Sequence, residues 1–163
     1  EDGRQKFIDK SYSQKKFDHY FESAGAGCTY LLTQKSLEKF KNFLIKNWAL
    51  VNEVELHDWI IYAFYRTLLM KWYIDKAPLI YYRQHKDNQI GANFYWKAYL
   101  IRFKKINNGW YRNEVKKIIN LLKPYARDDV NLNRFYLIKN FFNLRRRLRD
   151  AIILLFLNIL RLF

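Results

Sequence analysis

Residues 82–93 hold the side chains in this sequence that are best suited to chemistry. The segment follows an apolar run and contains Arg83, Gln84, His85 and Gly91. A neutral imidazole just after a strand can coordinate a divalent cation, and arginine and glutamine donate hydrogen bonds to phosphate oxygens. Glycine lets such a loop bend over a ligand. The segment therefore predicts a phosphate-facing loop with His85 as a metal ligand, and the alternative is a solvated surface loop.

Asp58 is the candidate general base, because it stands where a loop or strand meets a predicted helix. A carboxylate at that point can take a proton from an acceptor hydroxyl. The helix N-terminus favours the charged form of the carboxylate, so we expect Asp58 to be well oriented but a weak base. The alternative is that Asp58 serves only as the N-cap of the helix.

Several residues expected to lie near Asp58 in the fold are weaker candidates for contact with a substrate. Gly25 and Gly27 allow backbone to approach a substrate closely, but two glycines outside a larger pattern are a weak signal. Cys28 is expected to pack as a small buried side chain, since no histidine is next to it in sequence to activate the thiol. Trp59 is expected in the core, with stacking on an acceptor ring as the alternative.

The elements that must position these residues alternate between strand and helix up to residue 95. Apolar runs rich in strand formers predict strands over residues 28–32, 72–74 and 79–83. Helical spacing of apolar residues predicts one helix capped by Ser36 and another from Asp58 to Trp72. Together these elements predict an α/β arrangement in which Asp58 and His85 open on the same cleft.

Beyond residue 95 the pattern becomes helical. Apolar residues recur at three and four over residues 95–106, 115–122 and 132–142, and Asp128 or Asp129 is placed to cap the last of these helices. Residues 144–163 predict an amphipathic helix whose apolar stripe is Leu144, Leu148, Ile152, Leu155, Ile159 and Leu162, with Arg145, Arg146, Arg147 and Arg149 in its first turns. The stripe suits either burial against other helices or attachment to a membrane surface.

Charge and cysteine content limit the partners and the compartment. The net charge is +15, and residues 97–163 hold 16 Lys and Arg against 4 acids, so +12 lies in the helical part. Such asymmetry predicts an anionic partner, either nucleic acid or an acidic membrane. The longest apolar run, residues 151–157, is far shorter than the ~20 residues that cross a bilayer. The single cysteine, Cys28, excludes an internal disulfide and favours the cytoplasm.

Three motifs in order give this sequence a family resemblance. They are Gly27-Cys28-Thr29, then His57-Asp58-Trp59, then Tyr82-Arg83-Gln84-His85 continuing through Asn88 and Gly91. With this order and spacing, residues 20–95 resemble the C-terminal half of the catalytic domain of family 2 glycosyltransferases. The bacterial rhamnosyltransferase-like members, which build surface polysaccharides, are the most similar.

The resemblance implies the C-terminal portion of a GT-A (Rossmann-like) α/β domain over residues 1–95, forming its acceptor side, and a basic helical extension over residues 96–163. It implies an inverting, metal-dependent transfer from a nucleotide-sugar donor to a glycan or lipid-linked acceptor. Asp58 would be the catalytic base and His85 a ligand of Mg²⁺ or Mn²⁺. The implied substrate-binding residues are Gly25, Gly27, Cys28, Thr29, His57, Trp59, Arg83, Gln84, Asn88 and Gly91.

The sequence also departs from the family. It has no Asp-x-Asp metal motif and no counterpart of the donor-binding half before Glu1. We therefore expect the isolated chain to bind donor poorly. Two non-catalytic alternatives remain: a basic helical module that binds nucleic acid, which leaves the His85 loop unexplained, and a peripheral protein held at the inner face of the plasma membrane through residues 144–163.

Overall fold

The computed structural model describes residues 7–81, 106 and 108–163, and all regular secondary structure in these ranges is helical. The two 3₁₀ turns are Gly27–Thr29 and Lys123–Tyr125. The α-helices are α1 (Asp18–Phe21), α2 (Gln34–Lys46), α3 (Trp48–Val51), α4 (His57–Thr67), α5 (Trp110–Leu122), α6 (Arg134–Leu144) and α7 (Leu148–Ile159).

The predicted strand over residues 28–32 is wrong. Gly27–Thr29 closes a 3₁₀ turn through Thr29 N donating to the Ala26 carbonyl at 2.9 Å and Tyr30 N donating to the Gly27 carbonyl at 3.1 Å. Strand formers need a neighbouring strand to pair with, and none lies in the described part of the chain. The backbone therefore satisfies its hydrogen bonds locally.

The other two predicted strands are also absent from the described residues. Residues 72–74 are irregular, and Trp72 packs edge-on against Tyr30 and Tyr62 at ring-centroid distances of 5.0 and 5.4 Å. Residues 79–81 form no ladder and are exposed, while residues 82 and 83 lie outside the described ranges. The α/β fold expected from the sequence is therefore not confirmed by residues 7–81, 106 and 108–163.

The predicted helix over residues 95–106 lies almost entirely outside the described ranges. The other helices predicted within residues 36–142 are present, but several of their ends differ. Thr33 rather than Ser36 caps α2, because its side chain accepts a hydrogen bond from Ser36 N. Asn133 rather than Asp128 or Asp129 caps α6, accepting from Tyr136 N at 2.7 Å. α4 begins one residue before Asp58 and ends at Thr67, well short of Trp72.

The core is built around the short helix α1, all of whose residues are buried. It contacts α4, α5 and α6, while α2 packs its Phe40 and Phe43 against Phe64 of α4, with the rings of Phe43 and Phe64 4.4 Å apart. Buried residues from α1, α4, α5 and α6 belong to one apolar cluster. The division predicted at residue 95 falls among residues outside the described ranges.

The predicted helix over residues 144–163 is in fact the end of α6, a connection and α7. Residues 145–147 lie between the two helices, and Arg145 and Arg147 are extended. α7 buries Ala151, Leu154 and Asn158 rather than the predicted stripe. Among the described helices, none has the length and apolar character needed to cross a membrane.

Candidate active site

Two of the three motifs meet in the structure. The Gly27–Thr29 turn packs against the first turn of α4, which begins with His57 and Asp58. The approach is so close that a Cβ atom on Gly27 would lie 3.0 Å from Cβ of Asp58 and 3.2 Å from Nε2 of His57. Only glycine fits this position without moving its neighbours. The motifs that the sequence placed 30 residues apart therefore form one surface.

The Tyr30 hydroxyl holds the loop that carries Gly25 and Gly27. It donates to the Gly25 carbonyl at 2.9 Å and accepts from the Gly25 amide at 3.0 Å. Ser23 Oγ lies 2.8 Å from the same hydroxyl. Burial raises the pKa of Tyr30 to about 12, so the hydroxyl stays protonated and serves as a structural clamp. Nothing in the residue type or spacing of Tyr30 indicates in the sequence that its hydroxyl binds Gly25.

The surroundings of Asp58 raise the pKa of its carboxyl, whereas the helix N-terminus was expected to favour the charged form. Its half-buried carboxylate accepts a hydrogen bond from Trp59 N at 3.0 Å, in the first turn of α4, while Leu56 occupies the N-cap position. Burial raises the pKa of Asp58, and this effect outweighs the opposing influence of His57 and the nearby backbone amides. Desolvation therefore prevails over the charge-favouring field of the helix N-terminus, and Asp58 is not the N-cap.

Trp59 lies in the core, as predicted, and is not exposed for the alternative role of stacking on an acceptor ring. Its side chain is only 3% exposed. The indole Nε1 donates to the His19 carbonyl at 2.9 Å, and the ring stacks on Tyr111 with centroids 6.0 Å apart. His57, by contrast, is exposed beside Asp58. The two neighbours of Asp58 thus have opposite roles: one anchors the helix and the other faces solvent.

Cys28 and Thr29 are both exposed, so the expected burial of Cys28 is wrong. The 3₁₀ turn directs these side chains away from the core, while Thr29 Oγ1 donates to the Ala26 carbonyl at 2.7 Å. The described part of the site therefore consists of Gly25, Gly27, Cys28, Thr29, His57 and Asp58. The other predicted site residues lie outside the described ranges, namely Arg83, Gln84, His85, Asn88 and Gly91.

A buried cluster of charged residues holds the segment that leads into the glycine loop, and nothing in the sequence pattern indicated it. Arg146 is 5% exposed, and its Nη2 donates to the Ser23 carbonyl at 2.7 Å. The same guanidinium lies 3.5 Å from carboxylate oxygens of both Asp18 and Glu22. Arg145 Nη1 donates to the Phe21 carbonyl at 2.6 Å. The loop that approaches Asp58 is thus anchored by Arg145 and Arg146, which in the membrane alternative were expected to face anionic lipid.

The described residues do not by themselves fit a metal ion. Over residues 7–81, 106 and 108–163 no group of three or more His, Cys, Asp or Glu side chains is placed to hold one. Asp58 and His57 are two adjacent candidate ligands, and a stable Mg²⁺ or Mn²⁺ site needs more oxygen donors than this pair supplies. His85, the predicted metal ligand, lies outside these ranges.

The described site is a half-buried carboxylate beside a glycine turn, which defines a class of proteins by geometry alone. Comparison with known proteins narrows this class. The chain is 42% identical over 166 residues to a protein of Shigella flexneri described as dTDP-rhamnosyl transferase RfbG. The match includes 99% of the chain and confirms the resemblance to rhamnosyltransferase-like glycosyltransferases.

The match covers only part of the Shigella protein. The chain spans 57% of the length of the Shigella protein and corresponds to its C-terminal part. No family model matches the chain, and no solved structure matches it. The resemblance therefore rests on the sequence relative together with the motifs.

Proposed function

We propose that this chain forms the acceptor side of a bacterial glycosyltransferase that moves a rhamnosyl group from a dTDP-linked donor to a glycan or lipid-linked acceptor. The observation that carries the proposal is the packing of Gly27 against Asp58, because it brings a raised-pKa carboxylate to a turn with exposed side chains. The 42% identity to a dTDP-rhamnosyl transferase supports the choice of sugar and nucleotide.

In the proposed reaction, Asp58 takes the proton of an acceptor hydroxyl. The hydroxyl oxygen forms a bond to the anomeric carbon of the donor, while the bond from that carbon to the diphosphate oxygen breaks and its electron pair leaves with the diphosphate. Attack from the face opposite the leaving group inverts the configuration. One Asp58 oxygen accepts from Trp59 N, which orients the carboxylate so that the other oxygen can receive the proton.

Mg²⁺ or Mn²⁺ and His85 belong to this proposal as well. A divalent cation would neutralise the departing diphosphate, with Arg83 and Gln84 adding donors to its oxygens. His85 and these donors lie outside the described residues. The steps assigned to Asp58 do not depend on the cation.

The GT-A fold and the cytoplasmic location are further parts of the proposal. Leu79, Ile80 and Tyr81 expose most of their apolar surface, as a strand without its sheet neighbours would. We propose that a sheet in the complete protein covers them. The exposed thiol of Cys28 is compatible with a reducing compartment.

The test is the substitution Asp58→Asn in the full-length protein that contains this chain. The amide keeps the shape and the hydrogen bond to Trp59 N but cannot take the proton, so kcat should fall about 10²-fold or more with little change in donor KM. Asp75→Asn, which changes an exposed carboxylate in a turn, is the matched control. Equal kcat in the two variants would reject Asp58 as the base.

A further inference from the structure

The helical hairpin formed by α6 and α7 is joined at its open end as well as at its connection. Asn158 Nδ2 donates to the Arg134 carbonyl at 3.2 Å, and Arg134 Nη2 donates to the Ile159 carbonyl at 2.8 Å. These bonds place the end of α7 against the start of α6, so the two helices run antiparallel. The hairpin is therefore a fixed platform.

α7 buries only a narrow stripe of its surface. Ala151, Leu154 and Asn158 face the protein. Leu155 and Leu157 are half-buried, and Arg149 and Asp150 are charged. The other residues over 148–160 are apolar and exposed, for example Phe156 at 58% and Leu160 at 64%. We define the α7 outer face as Leu148, Ile152, Ile153, Phe156, Ile159 and Leu160. Surface hydrophobic residues that are scattered singly are normal in soluble proteins, whereas these six lie together on one face of a helix. Contiguous apolar patches of this kind mark interaction sites.

α6 exposes apolar side chains as well. Phe135 and Phe142 are 79% and 58% exposed, and Ile138 lies between them at helical spacing. Leu137 and Leu144, on the opposite side of the same helix, are buried. The hairpin thus leaves apolar surface on both of its helices.

The exposed charges of the hairpin are positive. Arg134, Lys139, Arg149 and Arg161 are exposed. The hairpin has a single acidic residue, Asp150, which lies 3.2 Å from Arg149. Asp128 and Asp129, which precede α6, lie within 4.0 Å of Lys16 and Lys123 respectively. Any partner that covers the apolar surface therefore meets a cationic rim.

From this combination we infer that the α6–α7 hairpin docks on an anionic membrane surface, with the α7 outer face in the boundary between headgroups and acyl chains. Apolar side chains flanked by Arg and Lys are the features of an interfacial helix, and α7 is too short to span a bilayer. The contacting cations are Arg134, Lys139, Arg149 and Arg161 rather than Arg145 and Arg146, which are bound internally. The inference is independent of the role of Asp58.

The test is sedimentation of the protein with vesicles of phosphatidylcholine containing about a third phosphatidylglycerol, beside vesicles of phosphatidylcholine alone. We expect capture by the anionic vesicles and weak capture by the neutral ones. Phe156→Asn combined with Leu160→Asn should reduce capture at least tenfold, because both side chains lie on the α7 outer face. Leu37→Asn combined with Ile45→Asn changes two exposed apolar residues of α2 and should leave capture unchanged.

A charge variant keeps the proposal testable if the apolar variant fails to fold. Lys139→Gln combined with Arg161→Gln alters only exposed side chains, and each lost cation should weaken binding to anionic vesicles about fivefold. Equal capture of the parent and both hairpin variants would overturn the proposal. The proposal would also be overturned if the vesicles did not capture the protein and the protein formed dimers as its concentration rose. Tight binding of a DNA duplex that survives the combined Phe156→Asn and Leu160→Asn change would overturn it as well.

Discussion

Arg146 lies 3.5 Å from Asp18, although the two residues come from opposite ends of the chain. Both are buried, and the Tyr62 hydroxyl donates to the same Asp18 oxygen, Oδ2, at 2.7 Å. Glu22 accepts from Arg146 N at 2.6 Å. The cluster joins α1, which is the centre of the core, to the connection between α6 and α7.

Replacing Arg146 by methionine should destabilise the chain by about 3 kcal/mol, near the lower end for breaking a buried ion pair. Asp18 would keep only Arg66, at 3.4 Å, and Glu22 only Arg145, at 3.9 Å. Urea unfolding followed by circular dichroism measures the loss. Arg149→Met is the matched control, since Arg149 is exposed, and it should change stability by less than about 1 kcal/mol. A loss in Arg146→Met no larger than that of the control would show that the cluster is not a source of stability.

Gly27→Ala should lower the melting temperature, while Gly25→Ala should not. The added methyl group at Gly27 would meet Cβ of Asp58 at 3.0 Å and must displace either the loop or α4, whereas at Gly25 the nearest atom, Thr29 Oγ1, is 3.9 Å away. Overpacking of this kind costs about 1–3 kcal/mol. Thermal unfolding of the two variants side by side gives the comparison, and equal melting temperatures would contradict the close approach.

Asp58→Asn should raise the melting temperature at pH 7. Because the folded state raises the pKa of Asp58 above its unfolded value of 3.8, the folded chain holds the proton more tightly. Stability linked to Asp58 is therefore fully present below pH 3.8 and lost as pH rises through the raised pKa. The gain in Asp58→Asn should vanish near pH 3.5, and a gain that is the same at both pH values would be inconsistent with a buried base.

His19→Phe should make the chain less sensitive to mild acid. Burial lowers the pKa of His19 below 6.5, so the unfolded chain binds the proton first as pH falls. Stability linked to His19 is complete above pH 6.5 and is lost as pH falls through that value. The parent should lose more melting temperature between pH 7.5 and 5 than His19→Phe does. Equal losses of melting temperature in the parent and in His19→Phe would contradict a buried, neutral His19.

The sequence predicted the helices that depend on local patterns and missed the contacts that join distant segments. Apolar spacing located α2 and α5, because an amphipathic period is a property of the segment itself. The roles of Arg145 and Arg146 depend on Asp18, Glu22 and Phe21, which no local pattern connects to them. An arginine run has the same appearance in sequence whether it faces solvent or buried carboxylates.

The sequence predicted which residues form the candidate site, but not the pKa of its carboxyl group. The sequence identified Gly27 and Asp58, and the structure brings them together. The raised pKa of Asp58 was not predicted, because desolvation depends on the surrounding chain. A strand was predicted over residues 28–32 because strand propensity does not reveal whether a pairing partner is present. Tyr30 was missed because its role depends on the loop that closes over it.

The Asp18–Arg146 cluster also sets the order of events during protein synthesis. The backbone amide of Arg146 and the Glu22 carboxylate that it contacts are 124 positions apart. At translation rates of about 5–20 residues per second, Glu22 is synthesised roughly 6 to 25 s before Arg146. Burying the α1 carboxylates earlier would leave Asp18 with Arg66 as its cation and Glu22 without Arg145 and Arg146. We therefore expect the centre of this core to stay hydrated on the nascent chain until the segment joining α6 to α7 has emerged.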